Sequence, residues 1–316
     1  MSNGLVGKWA SLRLKFGDRF RPVRDNFSGY PVYRSWDVDR ALDAMLDHFK
    51  PDLVVVQSWI RTVAHCLERQ IPTMYYVHAA NEPVDPCTDT IRRDTVWMTV
   101  SKFAASHNGT PHGLVFHILP PLVDPNIYRV SRHARGHATF MGLQNSKGGE
   151  RVIQMARACP DIPFLIFDNI ARDLPGWSGM NGSELRAAAQ ALPNVTLRPP
   201  ANTADELYGT TKVLLAPSRC LEAWGRVASE AQVNGIPVLA SDRGGLPEAV
   251  GDGGICLDYD APIETWVDHL QHIWRDDAYY ARLSGQALTH ARRPEFQPQR
   301  TIEHFMELAT AHVARA

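Results

Sequence analysis

The chain is predicted to have an α/β fold, in which helices cover both faces of parallel sheets. Short apolar runs of strand length alternate along the sequence with segments of helical spacing. The apolar runs are continuous rather than interrupted by polar residues, which is typical of parallel strands buried on both faces. Because each half of the chain shows this alternation, the sequence predicts a doubly wound sheet twice.

The first half contains four predicted strands and three predicted helices. The strands are the apolar runs at residues 53–56, 73–77, 96–100 and 115–119. The helices have apolar residues three and four apart, and they cover residues 38–49, 60–69 and 101–107. Strands that alternate with helices in this way are typical of βαβ units.

The second half repeats the pattern and adds a helical tail. Its predicted strands are residues 138–142, 164–167, 195–197, 213–216, 238–240 and 255–257. Its predicted helices are residues 149–159, 183–191, 204–208 and 226–234, followed by tail helices at 265–274, 278–289 and 300–313. A polar segment rich in arginine and histidine separates the halves, and we predict domains at 1–134 and 135–295 with a C-terminal segment at 296–316.

Composition excludes several classes of protein. A chain of 316 residues is comfortable for two domains, and its net charge of −1 gives no global basic field for nucleic acid. The five cysteines form no C-x-x-C pair, which argues against a zinc site or a disulfide framework and fits a reducing compartment. The start is too polar for a signal peptide, and no apolar run approaches the roughly 18 residues of a membrane span. We therefore expect a cytoplasmic protein with no integral membrane segment and no nucleic-acid partner.

One stretch in the second half has the features of a ligand site. A predicted strand leads into a loop closed by Glu222, a helix opens near Gly225, and a Gly-Gly turn follows at Gly244 and Gly245. This arrangement directs free backbone N–H groups and a positive helix end toward one point, which suits a phosphate. Carboxylates such as Glu222 and Glu230, eight residues apart, accept paired hydrogen bonds and suit the vicinal hydroxyls of a ribose or a sugar. Diphosphate, ribose and hexose together make a nucleotide sugar.

The same stretch resembles the glutamate-x7-glutamate signature of retaining GT-B glycosyltransferases, in particular glycosyltransferase family 4 (glycosyltransferase group 1). The matching residues are Glu222, Trp224, Gly225, Glu230, Ala231, Gly235, Pro237, Val238, Ala240, Gly244, Gly245 and Glu248. The resemblance implies a GT-B fold of two Rossmann-like, doubly wound domains that face a cleft. It also implies that residues 1–134 are the acceptor-side domain, that 135–295 bind the nucleotide sugar, and that the final helix crosses back to the first domain.

The resemblance also implies roles for individual residues near the donor. Glu230 would take the ribose hydroxyls. Glu222 would hold the hydroxyls of the donor sugar or stabilise its oxocarbenium-like centre. His78, which follows a predicted strand, would face the sugar and either position it or relay a proton. Trp224 would pack on the sugar or the nucleotide, with packing in the core as the equal alternative.

The phosphate groups of the donor would be bound without a metal ion or cofactor. The resemblance assigns phosphate binding to Lys147 and to the loop after Gly142, and we add the helix end at Gly225 and Arg226 and the turn at Gly244. The family normally has an arginine directly after the glycine at 142, where this chain has leucine and then glutamine. Either Arg226 or Arg243 supplies the second cation, or catalysis is weak or absent.

The start of the chain departs from the family. GT-B first domains begin with a strand and a Gly-rich loop, whereas helical periodicity here begins by Val6. We expect an abbreviated first domain that lacks this strand and loop. A sheet without its central strand would expose backbone polar groups, and strand reordering or self-association at the edge would compensate.

The combined prediction is a retaining glycosyltransferase. It would move a hexose from a nucleoside-diphosphate sugar to a hydroxyl acceptor, such as a saccharide, a lipid-linked saccharide or a small molecule. One alternative is a non-catalytic homologue that binds nucleotide sugars or acts as a scaffold. A third possibility is a GT-B epimerase or hydrolase, which would turn over the donor without an acceptor.

Overall fold

The computed structural model of the protein describes residues 22–26, 28–35, 37–81, 88–131, 134–168 and 178–315. These residues fall into two compact units. The smaller unit lies within 1–75, 85–96 and 309–316, and the larger unit consists of 76–84 and 97–308. The predicted abbreviated start, at residues 1–21, lies outside the described residues. The predicted boundary after residue 134 lies within the larger unit, and the assignment of functions to domains stays a prediction.

The smaller unit contains a hairpin and several helices. Strands β1 (Val23–Asp25) and β2 (Val32–Arg34) pair antiparallel. Helices α1 (Val38–Phe49), α2 (Ile60–Glu68) and α3 (Asp89–Asp94) follow. Leu42, Leu46 and Cys66 are buried together, so the apolar face of α1 packs against α2.

A four-stranded sheet has the strand order β3-β4-β5-β6. Its strands are β3 (Val54–Gln57), β4 (Thr73–Val77), β5 (Thr95–Thr99) and β6 (Phe116–Ile118). The last two pair in parallel. Since sites in open α/β sheets form at the carboxyl ends of strands, the residues that follow β4 and β6 are in suitable places for function.

The larger unit is built on a six-stranded sheet. Its strands are β7 (His137–Met141), β8 (Phe164–Phe167), β9 (Val195–Arg198), β10 (Thr211–Ala216), β11 (Val238–Ser241) and β12 (Gly254–Leu257). They lie in the order β12-β11-β10-β7-β8-β9, and all neighbours are parallel. This is the strand order of a Rossmann sheet, whose winding direction reverses between β7 and β10.

The remaining α-helices of the described residues begin in the larger unit. They are α4 (Lys102–Gly109), α5 (Pro125–Tyr128), α6 (Gly149–Ala158), α7 (Gly182–Gln190), α8 (Ala204–Tyr208), α9 (Arg226–Gln232), α10 (Leu246–Val250), α11 (Ile263–Arg275), α12 (Asp277–Ala291) and α13 (Pro298–Val313). Within β10, Val213 and Leu215 belong to one buried cluster, and Leu214 and Ala216 belong to another. The continuous apolar character of the strand therefore reflects two dry faces, and the predicted parallel α/β fold is confirmed.

Most predicted elements lie within two residues of the structure. Strands 73–77 and 164–167 and helices 38–49 and 204–208 agree to the residue. The helix predicted at 226–234 ends at Gln232, and the tail helices begin and end up to two residues outside the predicted limits. Residues 309–315 of the last segment are grouped with the smaller unit. Within the described part of the chain, no helix is long and apolar enough to cross a membrane.

Candidate active site

A cavity of about 640 Å³ lies in the larger unit where the Rossmann sheet reverses direction. Its wall includes Phe140 and Met141 of β7 and residues 214–216 of β10, so it opens at the carboxyl ends of these strands. Predicted site residues in this wall are His78, Lys147, Glu222, Trp224, Gly225 and Arg226. The volume lies in the range of small-molecule sites, which is about 300–1,000 Å³.

The strongest polar contact in the cavity joins Lys147 to Glu222. The Lys147 Nζ lies 2.5 Å from Glu222 Oε1, and the Ser218 hydroxyl donates to the same oxygen at 2.9 Å. Burial, the largest single cause, lowers the pKa of Lys147, but Glu222 and Cys220 together outweigh burial, so that the pKa is raised overall. The ammonium therefore stays charged beside the cavity.

Backbone contacts hold the lysine turn against the loop after β10. The N–H groups of Arg219 and Cys220 donate to the Ser146 carbonyl at 3.0 and 3.1 Å. Gly148, directly after the lysine, has φ 83°, and a Cβ there would lie 1.7 Å from the Pro217 carbonyl oxygen. Only glycine permits this approach, because any side chain would push the turn away from the loop.

The Gly-Gly turn fixes the backbone of Glu222. Glu222 and Gly244 form a parallel bridge, and the Gly245 N–H donates to the Glu222 carbonyl at 2.7 Å. Gly244 has φ 69°, and a Cβ there would lie 2.2 Å from that carbonyl oxygen. The turn thus orients the glutamate, and Gly244 itself is not among the residues of the cavity wall.

Glu230 is buried within a cluster of hydrogen bonds. The Tyr208 hydroxyl donates to its Oε2 at 2.8 Å, and Arg226 Nη2 lies 3.2 Å from its Oε1. The same guanidinium nitrogen donates to the Tyr128 hydroxyl at 2.8 Å. Burial, with the charge of Glu230 second, raises the pKa of Tyr208 well above its ordinary value, so that Tyr208 remains a donor. Arg226 lines the cavity, whereas Glu230 is not part of its wall.

His78 directly follows β4, as the sequence predicts, and lines the cavity. Its ring lies 4.0 Å from the ring of Tyr76, centroid to centroid. Burial lowers the pKa of His78, which favours a neutral imidazole at pH 7. The Tyr76 hydroxyl donates to the Leu119 carbonyl, and burial raises the pKa of Tyr76 to about 12.

Trp224 is mainly a core residue. Its side chain is 5% exposed, its ring meets Phe296 edge-on at 5.3 Å, and its N–H donates to Ser229 Oγ at 3.0 Å. The remaining edge contributes to the cavity wall. Gly225, beside it, lines the cavity and immediately precedes α9. Gly142 is buried at the end of β7, where its N–H donates to the Phe167 carbonyl at 2.9 Å.

Among the described residues, no second guanidinium lies free beside the lysine. Leu143, at the position of the family arginine, is buried. Arg226 is engaged by Glu230, and Arg243 pairs with Asp260 at 2.7 Å. In the described part of the wall the cationic side chains are the lysine and Arg226. Arg219, which no sequence motif indicated, donates from its guanidinium to Asn145 and the Ser178 carbonyl.

The third glutamate of the motif stabilises a helix. Glu248 accepts hydrogen bonds from the backbone N–H groups of Lys102 and Phe103, at 2.9 and 2.7 Å. These groups open α4 and would otherwise lack partners. Glu248 therefore joins α10 to the first turn of α4, and it does not line this cavity.

No group of three or more histidine, cysteine, aspartate or glutamate side chains suited to a metal ion occurs among the described residues. Two Asp-x-Asp sequences, a pattern whose carboxylates can bind a metal ion, occur at 37–39 and 258–260. In the second of them, Asp260 is paired with Arg243. Metal independence stays a prediction.

Part of the cavity wall lies in a segment that is similar to a known protein family. Residues 143–289 match the sequence family described as glycosyl transferases group 1. This segment is therefore similar to group 1 glycosyl transferases. It contains the lysine turn, the glutamate motif and the Gly-Gly turn, and the resemblance found in the sequence is confirmed.

Relatives with the same printed name match part of the chain. The D-inositol 3-phosphate glycosyltransferase of Paenarthrobacter aurescens (strain TC1) is 34% identical over 211 residues, which cover 60% of this chain and 50% of that protein. The protein of that name from Segniliparus rotundus is 30% identical over 199 residues, which cover 56% of this chain and 43% of that protein. The chain thus spans about half the length of these relatives.

Solved structures show the fold. A glycosyltransferase from Rickettsia africae has a TM-score of 0.72 at 12% identity and covers 87% of this chain and 80% of its own. Sucrose-phosphate synthase from Thermosynechococcus elongatus has a TM-score of 0.67 at 17% identity, with 87% and 77% covered. Anabaena Alr3699/HepE in complex with UDP has a TM-score of 0.71 at 16% identity, with 86% and 82% covered. The chain therefore has the GT-B fold of these glycosyltransferases.

Proposed function

We propose that the protein is a retaining glycosyltransferase that moves a hexose from a nucleoside-diphosphate sugar to a hydroxyl acceptor. The proposal rests on the Lys147–Glu222 pair, whose charged atoms are 2.5 Å apart. The pair lies in the cavity at the carboxyl ends of β7 and β10, where the sheet reverses direction. The names of the relatives support glycosyl transfer. The structures of Anabaena HepE with UDP and with UDP-glucose support a nucleotide-sugar donor.

Different parts of the donor would contact the two glutamates. Its diphosphate competes with Glu222 for the Lys147 ammonium and, on binding, releases that carboxylate for the hydroxyls of the sugar. Its ribose diol reaches Glu230 by replacing Arg226 at Oε1, while Tyr208 keeps Oε2 in place. Both exchanges replace one charged hydrogen bond by another, so neither leaves a buried carboxylate without partners.

The reaction breaks the anomeric C–O bond of the donor, and the bonding electrons pass to the diphosphate oxygen. The acceptor oxygen attacks the same face of the sugar, and its proton passes to the departing diphosphate. Lys147 stabilises the negative charge that grows on the leaving group. Glu222 stabilises the positive charge on the sugar ring, and the neutral imidazole of His78 positions the sugar or relays a proton.

The non-catalytic alternative rests on one observation. The family arginine is replaced by buried Leu143, and the nearby guanidinium groups of Arg226 and Arg243 are already engaged. A protein with this arrangement would keep the donor cavity and lose turnover. A hydrolase or epimerase would instead consume the donor without any acceptor.

An assay of nucleoside diphosphate release separates these functions. The protein is incubated with UDP-, GDP- and ADP-sugars, with and without a panel of sugar, lipid-linked and small hydroxyl acceptors. Release that depends on the acceptor supports transfer, release without acceptor supports hydrolysis, and donor binding without release supports the non-catalytic alternative. We expect EDTA to leave the rate unchanged; a loss that magnesium or manganese restores would contradict the metal-independent mechanism.

The remaining predictions concern assembly and location. Cytoplasmic location and self-association through the first domain stay predictions. Sedimentation of the purified chain tests the second, because self-association would raise the apparent mass with concentration.

A further inference from the structure

A second cavity, of about 570 Å³, lies in the larger unit apart from the lysine turn and the paired glutamates. Its wall combines the first residue of α4, the end of β6, part of α10 and the chain from the end of α12 into α13. We propose that this cavity is a binding site for a small organic phosphate ester, with the phosphate at its cationic side chains and the organic group on its apolar wall.

The cationic side of the cavity carries three permanent charges. Lys102, Arg293 and Arg300 all line it, together with His304. Arg300 is 72% exposed and pairs with Glu303 at 3.3 Å. Exposed pairs of this kind contribute little, so a phosphate can take over the guanidinium. Several cations around one concave site favour a doubly charged ligand over a singly charged one.

Two carboxylates in the wall, Glu248 and Glu295, offset part of this positive charge. Glu248 uses both oxygens to accept hydrogen bonds from the first turn of α4. Glu295 lies 3.5 Å from Arg293 Nε, with both side chains about half exposed. The wall therefore carries three permanent cations against two carboxylates, and Arg300 must exchange Glu303 for the phosphate.

Arg293 is held in position before any ligand binds. Its guanidinium lies over the ring of Phe296, 4.4 Å from the centroid, and its Nη2 lies 3.1 Å from Nε2 of His290. Burial, with Arg293 second, lowers the pKa of His290, so the imidazole is neutral and accepts this hydrogen bond. A guanidinium already fixed on an aromatic ring costs little ordering when it binds an anion.

The opposite side of the cavity is apolar. Its wall includes Trp224 and Phe296, with Ile118, Leu119, Pro120 and Pro247. Inorganic phosphate would leave this surface uncovered, whereas an ester with an aromatic or aliphatic group would cover it. Trp224 also lines the first cavity, so an experiment must separate binding at the two sites.

Calorimetric titration with phenyl phosphate tests the proposal. It is carried out on the wild type and on Lys147→Ala, which removes the lysine of the first cavity. We expect saturable binding that persists in Lys147→Ala. Arg300→Gln and Lys102→Gln, introduced into that variant, should each weaken it by about tenfold, the factor that corresponds to about 1.4 kcal/mol.

Matched controls make the outcome decisive. Arg282 is an exposed arginine on α12, outside the walls of both cavities, and Arg282→Gln should leave the affinity unchanged. Benzoate, which has one charge, and inorganic phosphate, which has no apolar group, should bind at least about tenfold more weakly than phenyl phosphate. Because Lys102 and Arg300 are exposed, their replacement should not disturb folding. Unfolding temperatures of the variants equal to that of Lys147→Ala would exclude a folding defect.

Several results would overturn the proposal. Loss of all binding in Lys147→Ala would assign the phosphate to the first cavity alone. Equal weakening by Arg282→Gln and Arg300→Gln would show a general effect of charge, and equal affinity for benzoate would refute a phosphate site. Failure of phenyl phosphate to bind the wild type at millimolar concentration would also refute it, and none of these results depends on glycosyl transfer.

Discussion

The Lys147 ammonium lies 2.5 Å from Oε1 of Glu222, although 75 positions separate the two residues in sequence. The lysine comes from the turn after β7 and the glutamate from the loop after β10, the two strands between which the sheet reverses direction. In the free protein the two charges neutralise each other. In the proposed function, a donor diphosphate that takes the lysine would also free the carboxylate, and this would couple phosphate binding to sugar binding.

Replacement of the lysine should affect turnover far more than stability. In Lys147→Ala the departing diphosphate loses its nearest cation, and we expect turnover to fall by about 10²–10³-fold. The lysine side chain is 40% exposed, so the unfolding temperature should change little. Arg275→Ala, which removes an exposed pair with Asp161, is the control. Comparable turnover in the two variants would exclude the lysine from catalysis.

Replacement of Glu230 should weaken donor binding. Glu230→Gln keeps an acceptor for the Tyr208 hydroxyl but loses the charge, and we expect the affinity for the nucleoside diphosphate to fall about tenfold. Tyr208→Phe leaves the carboxylate charged but less well held, and its effect on affinity should be smaller. Calorimetry measures both, and an unchanged affinity in Glu230→Gln would remove this residue from the donor site.

The Gly-Gly turn gives a prediction about stability. Gly244→Ala would add a Cβ 2.2 Å from the Glu222 carbonyl oxygen, at φ 69°. We expect it to lower the free energy of unfolding by more than about 2 kcal/mol and to abolish donor binding. Gly113→Ala, at φ 65° with no atom within 4 Å of its added Cβ, should cost only about 1 kcal/mol. Equal losses in the two variants would show that contact with Glu222 is unimportant.

Acidification should destabilise the larger unit through His290. Burial and then Arg293 lower its folded-state pKa below the ordinary 6.5, against the opposing effects of the Glu248 and Ala249 carbonyls and Asp252. The unfolded chain therefore takes up the proton first, so the stability is present above about pH 6.5 and is lost as the pH falls toward the folded-state value.

The corresponding measurement is the unfolding free energy between about pH 7 and pH 5. His290→Gln should flatten its pH dependence, while His272→Gln, a half-exposed histidine on α11, should not. If the unfolding free energy of His290→Gln depended on pH as steeply as that of the wild type, this explanation would be contradicted.

Sequence patterns predicted the elements of this molecule better than its side-chain partners. Continuous apolar strands and helical spacing reflect local burial, which is why the strand at 164–167 agrees to the residue. The motif also placed Glu222 and Gly225 in one cavity. Spacing could not reveal that Tyr208 would hold Glu230, because that contact depends on packing between α8 and α9. The tight approach of Gly148 to Pro217 joins two distant loops and has no local signal either.

The sequence patterns did not predict the second cavity either. Its residues come from segments that no motif connects, and histidine or arginine in a helical tail is normally a solvated residue. The packing of Phe296 against Trp224 and His290 helps to bring them to one place.

The most direct test of the account is calorimetric titration of UDP, GDP and ADP into the wild type, Lys147→Ala, Glu230→Gln and Arg282→Gln. We predict that one nucleoside diphosphate binds the wild type and Arg282→Gln equally. Its affinity should fall at least about tenfold in each of the other two variants. Absence of binding by all three nucleotides, or equal affinity in all four proteins, would contradict a donor site at the first cavity, beside Lys147 and Glu222.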